Sequence, residues 1–368
     1  MVAQGRWSLL ANGIEPVVTL YEWDLPQKLQ DLGGWTSLQT AEYFANFARL
    51  AFRLFGDRVK TWITISEPFN ICEISYGQLS APPLINSPGV GDYLCGKTVL
   101  IAHSKAYHIY DKEFRKRQKG KIGIVLDTFW PEPKTNRTED IKAVDRVLQM
   151  RLGWFANPIF SKDGDYPEIM KKTIENRSVL ENFAHSRLPP FTQTEIKDLK
   201  GSSDFFGLNH YYTSYFENLE HPIGESSFIK DAGISSSDFE NSYGPKNRTV
   251  PWGFYRLLHW VANKYNNPLV YITEIGYHDD GRTDDTDRIV FHAKFLKALL
   301  HAIKEGCNVQ RYTVWTFIDM FAWTLGYSAK FGLYKVDFDS PNRTRTPKAS
   351  AYFYKNVIKN RVVPNDIF

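Results

Sequence analysis

Short apolar, β-branched runs alternate along this chain with longer segments of helical period. The runs are Glu15–Tyr21, Val59–Ser66, Lys121–Thr128, Asp204–His210, Leu269–Glu274 and Gln310–Phe317. Each is mostly apolar rather than alternating, which predicts strands buried on both faces of a parallel sheet. A helix is predicted from near Thr36, with Phe44, Phe47, Leu50, Ala51, Leu54 and Phe55 on one stripe. A second is predicted over Asp287–Lys304, with Ile289, Phe291, Phe295, Leu296, Leu299, Leu300 and Ile303 able to face inward and Gly306 as its stop. Arg6–Asn12 followed by Gly13 reads as the tail of a further helix. Strand–helix alternation implies parallel pairing through crossovers, the α/β class to which the (β/α)8 barrel belongs. Six strands are visible where closure needs eight. Arg282–Asp287 and Gly224–Asn247 are the main loop-like stretches.

Composition narrows the classes. With 368 residues, 43% hydrophobic and 15% aromatic, the chain can bury one large core, and it reads as a single barrel domain over residues 1–368. A net charge of +4 gives no case for a nucleic-acid partner. The basic run from Arg115 to Lys121 ends an amphipathic pattern and reads as a solvated helix terminus. Cys72, Cys95 and Cys307 are too few for a disulfide framework, though they allow one bridge, and the nine histidines lack metal-ligand spacing. No metal or cofactor is expected. Sequons at Asn136, Asn176, Asn247 and Asn342, in turn-like contexts, point to a secreted or lumenal lineage; no signal peptide and no membrane-spanning run is seen.

The chemistry sits at strand ends. Glu67 follows Trp62-Ile-Thr-Ile-Ser66 and precedes Pro68; Glu274 follows Val270-Tyr-Ile-Thr273 and precedes Ile275-Gly276. Carboxylates at the C-terminal ends of two strands of one barrel rim can converge, as glycoside hydrolysis requires. A strand-end glutamate alone is more often a surface residue.

Six motifs then carry a resemblance that covers nearly the whole chain. Tyr21-Glu-Trp-Asp-Leu-Pro26 is similar to the end of the third barrel strand in family-one glycoside hydrolases. Thr64-Ile-Ser-Glu-Pro68 resembles the family's acid/base motif, and Ile272-Thr-Glu-Ile-Gly276 its nucleophile motif. Phe206-Gly-Leu-Asn-His-Tyr-Tyr212 and Trp315-Thr-Phe-Ile-Asp-Met-Phe-Ala-Trp323 resemble its sixth- and eighth-strand motifs, and Asn157-Pro-Ile-Phe160 with Gly164-Asp-Tyr-Pro167 is a further match.

The resemblance implies a retaining β-glycosidase acting on O-linked, and by extension S-linked, β-glycosides. Glu67 would be the acid/base, Glu274 the nucleophile and Tyr211 its partner, with the two carboxyls ~5–5.5 Å apart. Trp23, Trp315 and Trp323 would line the sugar pocket with Glu22, Ser66 and Asn209; Asn209 would support the rim, and His210 would pack. The sequence departs from the family's pattern at Glu22 (histidine expected), Ser66 and Ile275 (asparagine), Met320 (asparagine) and Ala322 (glutamate). The family's first two βα units would precede Met1, so open barrel edges and self-association through them are expected. These departures keep an alternative open: a weak or inactive glycosidase-like protein that binds a glycoside or a protein partner.

Overall fold

In the computed structural model, residues 8–219, 226–237 and 250–364 are described. The Asn247 sequon, Arg6 and parts of Gly224–Asn247 lie outside them. The strands are β1 (Val17–Tyr21), β2 (Thr61–Ser66), β3 (Lys121–Asp127), β4 (Trp130–Pro133), β5 (Phe206–Asn209), β6 (Thr213–Asn218), β7 (Ile234–Ser237), β8 (Val270–Gly276), β9 (Val309–Trp315), β10 (Tyr334–Val336) and β11 (Arg345–Pro347). Six of them form one sheet in the order β1-β2-β3-β5-β8-β9. These are the six expected strands. The chain divides into two compact units. One holds Met1–Asp127, Lys142–Gly207 and Asn218–Ser235; the other holds Thr128–Ile141, Leu208–Glu217 and Ser236–Phe368.

In the first unit β1, β2 and β3 run parallel, with Tyr21 in register with Ile65 and Trp62 with Ile122. Every residue of β2 is buried. Helix Gln39–Phe55 covers this layer, but its buried stripe is Thr40, Ala41, Phe44, Ala45, Ala48, Ala51 and Phe52. Phe47, Leu50 and Leu54 are exposed, against the stripe expected from the large apolar side chains. The helix packs against helix Gly91–Ile109, and its buried stripe is built largely of alanines, whose small side chains permit close approach. Phe52 meets the edges of Trp62 and Tyr110 at 5.1 and 5.0 Å. A disulfide joins Cys72 to Cys95, and Cys307 is free and buried. Asn136 and Asn342 are exposed, but Asn176 lies within helix Glu168–Leu180, where Arg177 and Ser178 are buried. Its sequon is therefore helical rather than turn-like.

In the second unit β8 and β9 are parallel, with Ile272 beside Tyr312 and Gly276 beside Trp315. Helix Thr286–Lys304 buries Phe291, Phe295, Leu296 and Leu299 as expected, while Leu300 and Ile303 are exposed. Arg288 and His292 take core positions in their place. Arg288 is tolerated there because Asp279, Asp285 and several carbonyl oxygens accept from its guanidinium. The predicted stop at Gly306 adopts φ +104°, open to glycine without strain.

The first unit also holds a buried charge cluster. Asp231, fully buried, accepts from Tyr93 Oη at 2.5 Å, Arg177 Nε at 3.0 Å and both Arg187 terminal nitrogens at 2.6 and 2.8 Å. Replacing Asp231 with alanine takes one carboxylate from two buried guanidinium groups and leaves their charge to Glu181, which also pairs with both. The expected loss of stability is ~3–5 kcal/mol, read as a lower urea midpoint. A midpoint within error of the parent would contradict this role.

Candidate active site

The first group of side chains sits at the C-terminal ends of β1 and β2. Because Tyr21 pairs with Ile65, Glu22 leaves β1 level with Ser66, and Glu67 follows directly. Neighbouring strands lie ~4.8 Å apart, so these backbones are within side-chain reach. Glu67 is only 6% exposed and has φ +56°. A non-glycine residue there costs of order 1 kcal/mol and is held by its surroundings. Its N–H donates to Val125 O at 2.9 Å, and its C=O accepts from Ile71 N at 3.1 Å, which opens a helical turn. One turn on, Asn70 Nδ2 donates to Glu67 Oε2 at 2.8 Å. Trp23, also at positive φ (+71°), donates from Nε1 to Ser66 O at 3.3 Å.

Glu22 therefore adds a carboxyl beside Glu67. Its pKa is pushed up to about 8, first by burial and then by the negative charge of Glu67; a hydrogen bond with Ser66 opposes this and Asp24 adds to it. Ser66 itself is 2% exposed. A cleft of about 270 Å³ opens nearby, lined in part by Tyr21, Trp23, Asp24, Gln27, Gln30 and Tyr76. Trp23 borders it; Glu22 and Glu67 do not.

The second group lies on β5, β8 and β9. Tyr211 Oη donates to Glu274 Oε2 at 2.5 Å. The pairing of the strands supports this contact, since His210 N donates to Glu274 O at 3.1 Å. Asn209 is fully buried and accepts from Thr273 Oγ1 at 2.6 Å, which braces the strand that carries Glu274. His210 is buried, bonded through Nδ1 to Thr128 O at 3.1 Å and stacked on Phe254; burial lowers its pKa to about 4. Trp315 ends β9 beside Gly276, where a Cβ would stand 2.6 Å from Trp315 O and 3.2 Å from a Tyr211 ring carbon. The glycine after Ile275 thus lets Trp315 and Tyr211 close on the end of β8. Trp315 is half-buried and Trp323 is 38% exposed. Ala322 is buried, and its N–H donates to Gly326 O at 2.7 Å.

The sequence reading named Glu67 but missed what holds it. Arg151 on helix Thr138–Phe160 pairs with Asp127, the last residue of β3, and reaches Asn70 Oδ1 at 3.4 Å. The i, i+3 spacing of Glu67 and Asn70 was the available signal, once a turn after Pro68 is assumed. Among the described residues no group of three or more His, Cys, Asp or Glu could hold a metal ion.

A raised carboxyl pKa has a stability signature. Folded Glu22 keeps its proton up to about pH 8, whereas the unfolded chain releases it in the ordinary carboxylate range. The native state then binds more protons across that window, so stability falls as pH rises through it. Glu22→Gln should match the parent near pH 4 and unfold at higher urea than the parent at pH 9. Parallel pH–stability curves for the two proteins would contradict a buried, neutral Glu22.

A family model described as glycosyl hydrolase family 1 matches residues 7–363. The chain is 42% identical over 360 residues to lactase/phlorizin hydrolase of Rattus norvegicus, covering 97% of this chain but 19% of that protein. It thus spans about a fifth of that relative's length. It is 41% identical over 360 residues to the cytosolic beta-glucosidase of Homo sapiens, covering 96% of this chain and 76% of the relative. The solved structure of an aphid myrosinase superposes with a TM-score of 0.92 at 42% identity, covering 97% of this chain and 78% of that one. The fold class is that of the (β/α)8 barrel.

Proposed function

Because the chain belongs to glycosyl hydrolase family 1, we propose that it is a retaining β-glycosidase in which Glu67 is the acid/base and Glu274 the nucleophile. Residues 1–368 are read as one glycosidase-like barrel domain. The observation that carries the proposal is the phenol of Tyr211 donating at 2.5 Å to a glutamate near the C-terminal end of a parallel strand. A nucleophilic carboxylate has to be ionised and aimed, and a short bond from a neutral phenol favours both. Glu67, held by Asn70 at the end of another strand, supplies the second carboxyl that the chemistry needs.

In this mechanism Glu67 gives its proton to the glycosidic oxygen as Glu274 attacks the anomeric carbon. The C–O bond to the leaving group breaks, and a glycosyl ester forms on Glu274. Glu67, now a carboxylate, takes a proton from water, which attacks the same carbon and frees Glu274. Two inversions give net retention. Trp23, Trp315 and Trp323 offer flat apolar faces to the sugar, while Glu22 and Ser66 meet its hydroxyl groups. Asn209 acts through β8. S-linked glycosides fall within the proposal, since a thiolate leaving group asks little of the acid.

The partner is a small-molecule β-glycoside; neither nucleic acid nor membrane enters. No helix among the described residues is long and apolar enough to cross a membrane. A secreted or lumenal setting is supported by the Cys72–Cys95 disulfide and the exposed Asn136 and Asn342. Self-association is supported by β1, which lies at the end of the sheet order, with Val17 45% exposed. Sedimentation should show a mass that rises with concentration. A single monomeric species across the range would rule this out.

The catalytic assignment is tested by an activated 2-fluoro glycoside, which slows breakdown of the glycosyl-enzyme and lets it accumulate. Mass spectrometry should place the label on Glu274 and find none in Glu274→Gln. Tyr211→Phe should lower turnover about 10- to 100-fold, the worth of one hydrogen bond to a charged group. A label on Glu22 would overturn the assignment. No label on folded protein would favour a glycosidase-like binder of a glycoside or protein partner without turnover.

A further inference from the structure

We propose that Asn70 is a positioning residue for the acid/base, locked by the Arg151–Asp127 ion pair so that its amide nitrogen faces Glu67. The inference rests on the reading of Glu67 given above.

Donor and acceptor types fix which way the Asn70 amide turns. An arginine side chain has only donors, and an asparagine amide has one acceptor oxygen and one donor nitrogen. Arg151 Nη2 lies 3.4 Å from Asn70 Oδ1. That contact turns the amide oxygen toward the guanidinium, which leaves Nδ2 aimed at Glu67 Oε2, 2.8 Å away. The opposite amide orientation would set a donor against a cation and an acceptor against a carboxylate.

Arg151 in turn has little freedom. Its side chain is 13% exposed and Asp127, its ion-pair partner, is 7% exposed. The guanidinium carbon sits 3.9 Å from the centre of the Phe69 ring, a distance at which cation and ring face attract. Three anchors therefore meet at one cation: the end of β3, the ring of Phe69 and the amide of Asn70. Asn70 also begins the π-helical segment Asn70–Gly77, a geometry found often at functional sites.

The charged groups around Glu67 in this unit oppose one another. Glu22 faces it from β1, and Arg151 stands behind Asn70 with Asp127 and Glu73 beside it. Against the repulsion from Glu22, the Asn70 bond holds the Glu67 carboxyl in one orientation toward the leaving group. The same bond steadies the carboxylate when it must act as base. The whole arrangement is drawn from three separate segments, β2 with its following turn, the end of β3 and helix Thr138–Phe160.

The test separates positioning from mere stability. Asn70→Ala removes the donor. Asn70→Asp keeps an acceptor for Arg151 at nearly the same size, removes the donor and sets a second carboxylate against Glu67. For each, kcat/KM would be measured on phenyl and 2,4-dinitrophenyl β-glucosides, alone and in the Glu67→Ala background. With phenol leaving, which needs protonation, both variants should lose about 10- to 100-fold, the range for one hydrogen bond to a charged group. With dinitrophenol, a leaving group that needs no proton, the loss should stay within roughly threefold. In Glu67→Ala, either change should add nothing. Equal losses on both substrates, or full additivity with Glu67→Ala, would overturn the proposal and make Asn70 structural. If Glu67→Ala turns over both substrates as the parent does, the acid/base reading fails first and this inference with it.

Discussion

Tyr21 lies beside Ile65 in the parallel pair β1–β2, and much of the candidate chemistry depends on that register. It sets Glu22 level with Ser66 and delivers Glu67 one residue beyond the strand. A slip of one residue would turn every side chain to the other face. Glu22 would then leave the neighbourhood of Glu67, and Trp23 would lose its bond to Ser66 O. The same logic applies where Gly276 pairs with Trp315. There the absent side chain at Gly276 lets a tryptophan and Tyr211 approach the strand that bears Glu274.

Strand ends place the carboxyl groups, and their neighbours decide what each can do. Glu274 takes a hydrogen bond from a phenol, Glu67 from an amide, and Glu22 shares its burial with Glu67 and so holds a proton to about pH 8. Charge elsewhere is housed by full pairing. Asp231 is enclosed by two arginines and a tyrosine, and Lys348 sits between Asp279 and Asp319 with no exposure. These groups stiffen each unit without being exposed to a substrate. Breaking them should cost stability and leave the reaction's own groups untouched.

The six sheet strands were legible because strands covered on both faces are written as unbroken apolar runs. The positions of Glu67 and Glu274 at or near strand ends, and of Tyr211 just past β5, were legible because their motifs are local. The helix stripes were read less well. Helix Gln39–Phe55 buries Ala41, Ala45, Ala48 and Ala51 while exposing Phe47, Leu50 and Leu54, so side-chain size pointed to the wrong neighbouring stripe. Arg288 is a similar case, a charged residue in a core position whose partners lie on other segments. The clamp on Asn70 was hidden for the same reason. Arg151 and Asp127 are 24 residues apart in sequence, and nothing local says that they meet. The single bridge allowed by three cysteines formed between Cys72 and Cys95.

The central claim is double displacement at one carbon, with a covalent glycosyl-enzyme between the two steps. The stereochemistry of the first product formed tests it most directly. Proton NMR of the anomeric region, recorded in the first minutes of hydrolysis of an aryl β-glucoside, distinguishes the anomers before they equilibrate. The account predicts that the β anomer appears first and the α anomer grows in only by later mutarotation. An α anomer released first would mean single displacement by water, and would contradict the role given to Glu274.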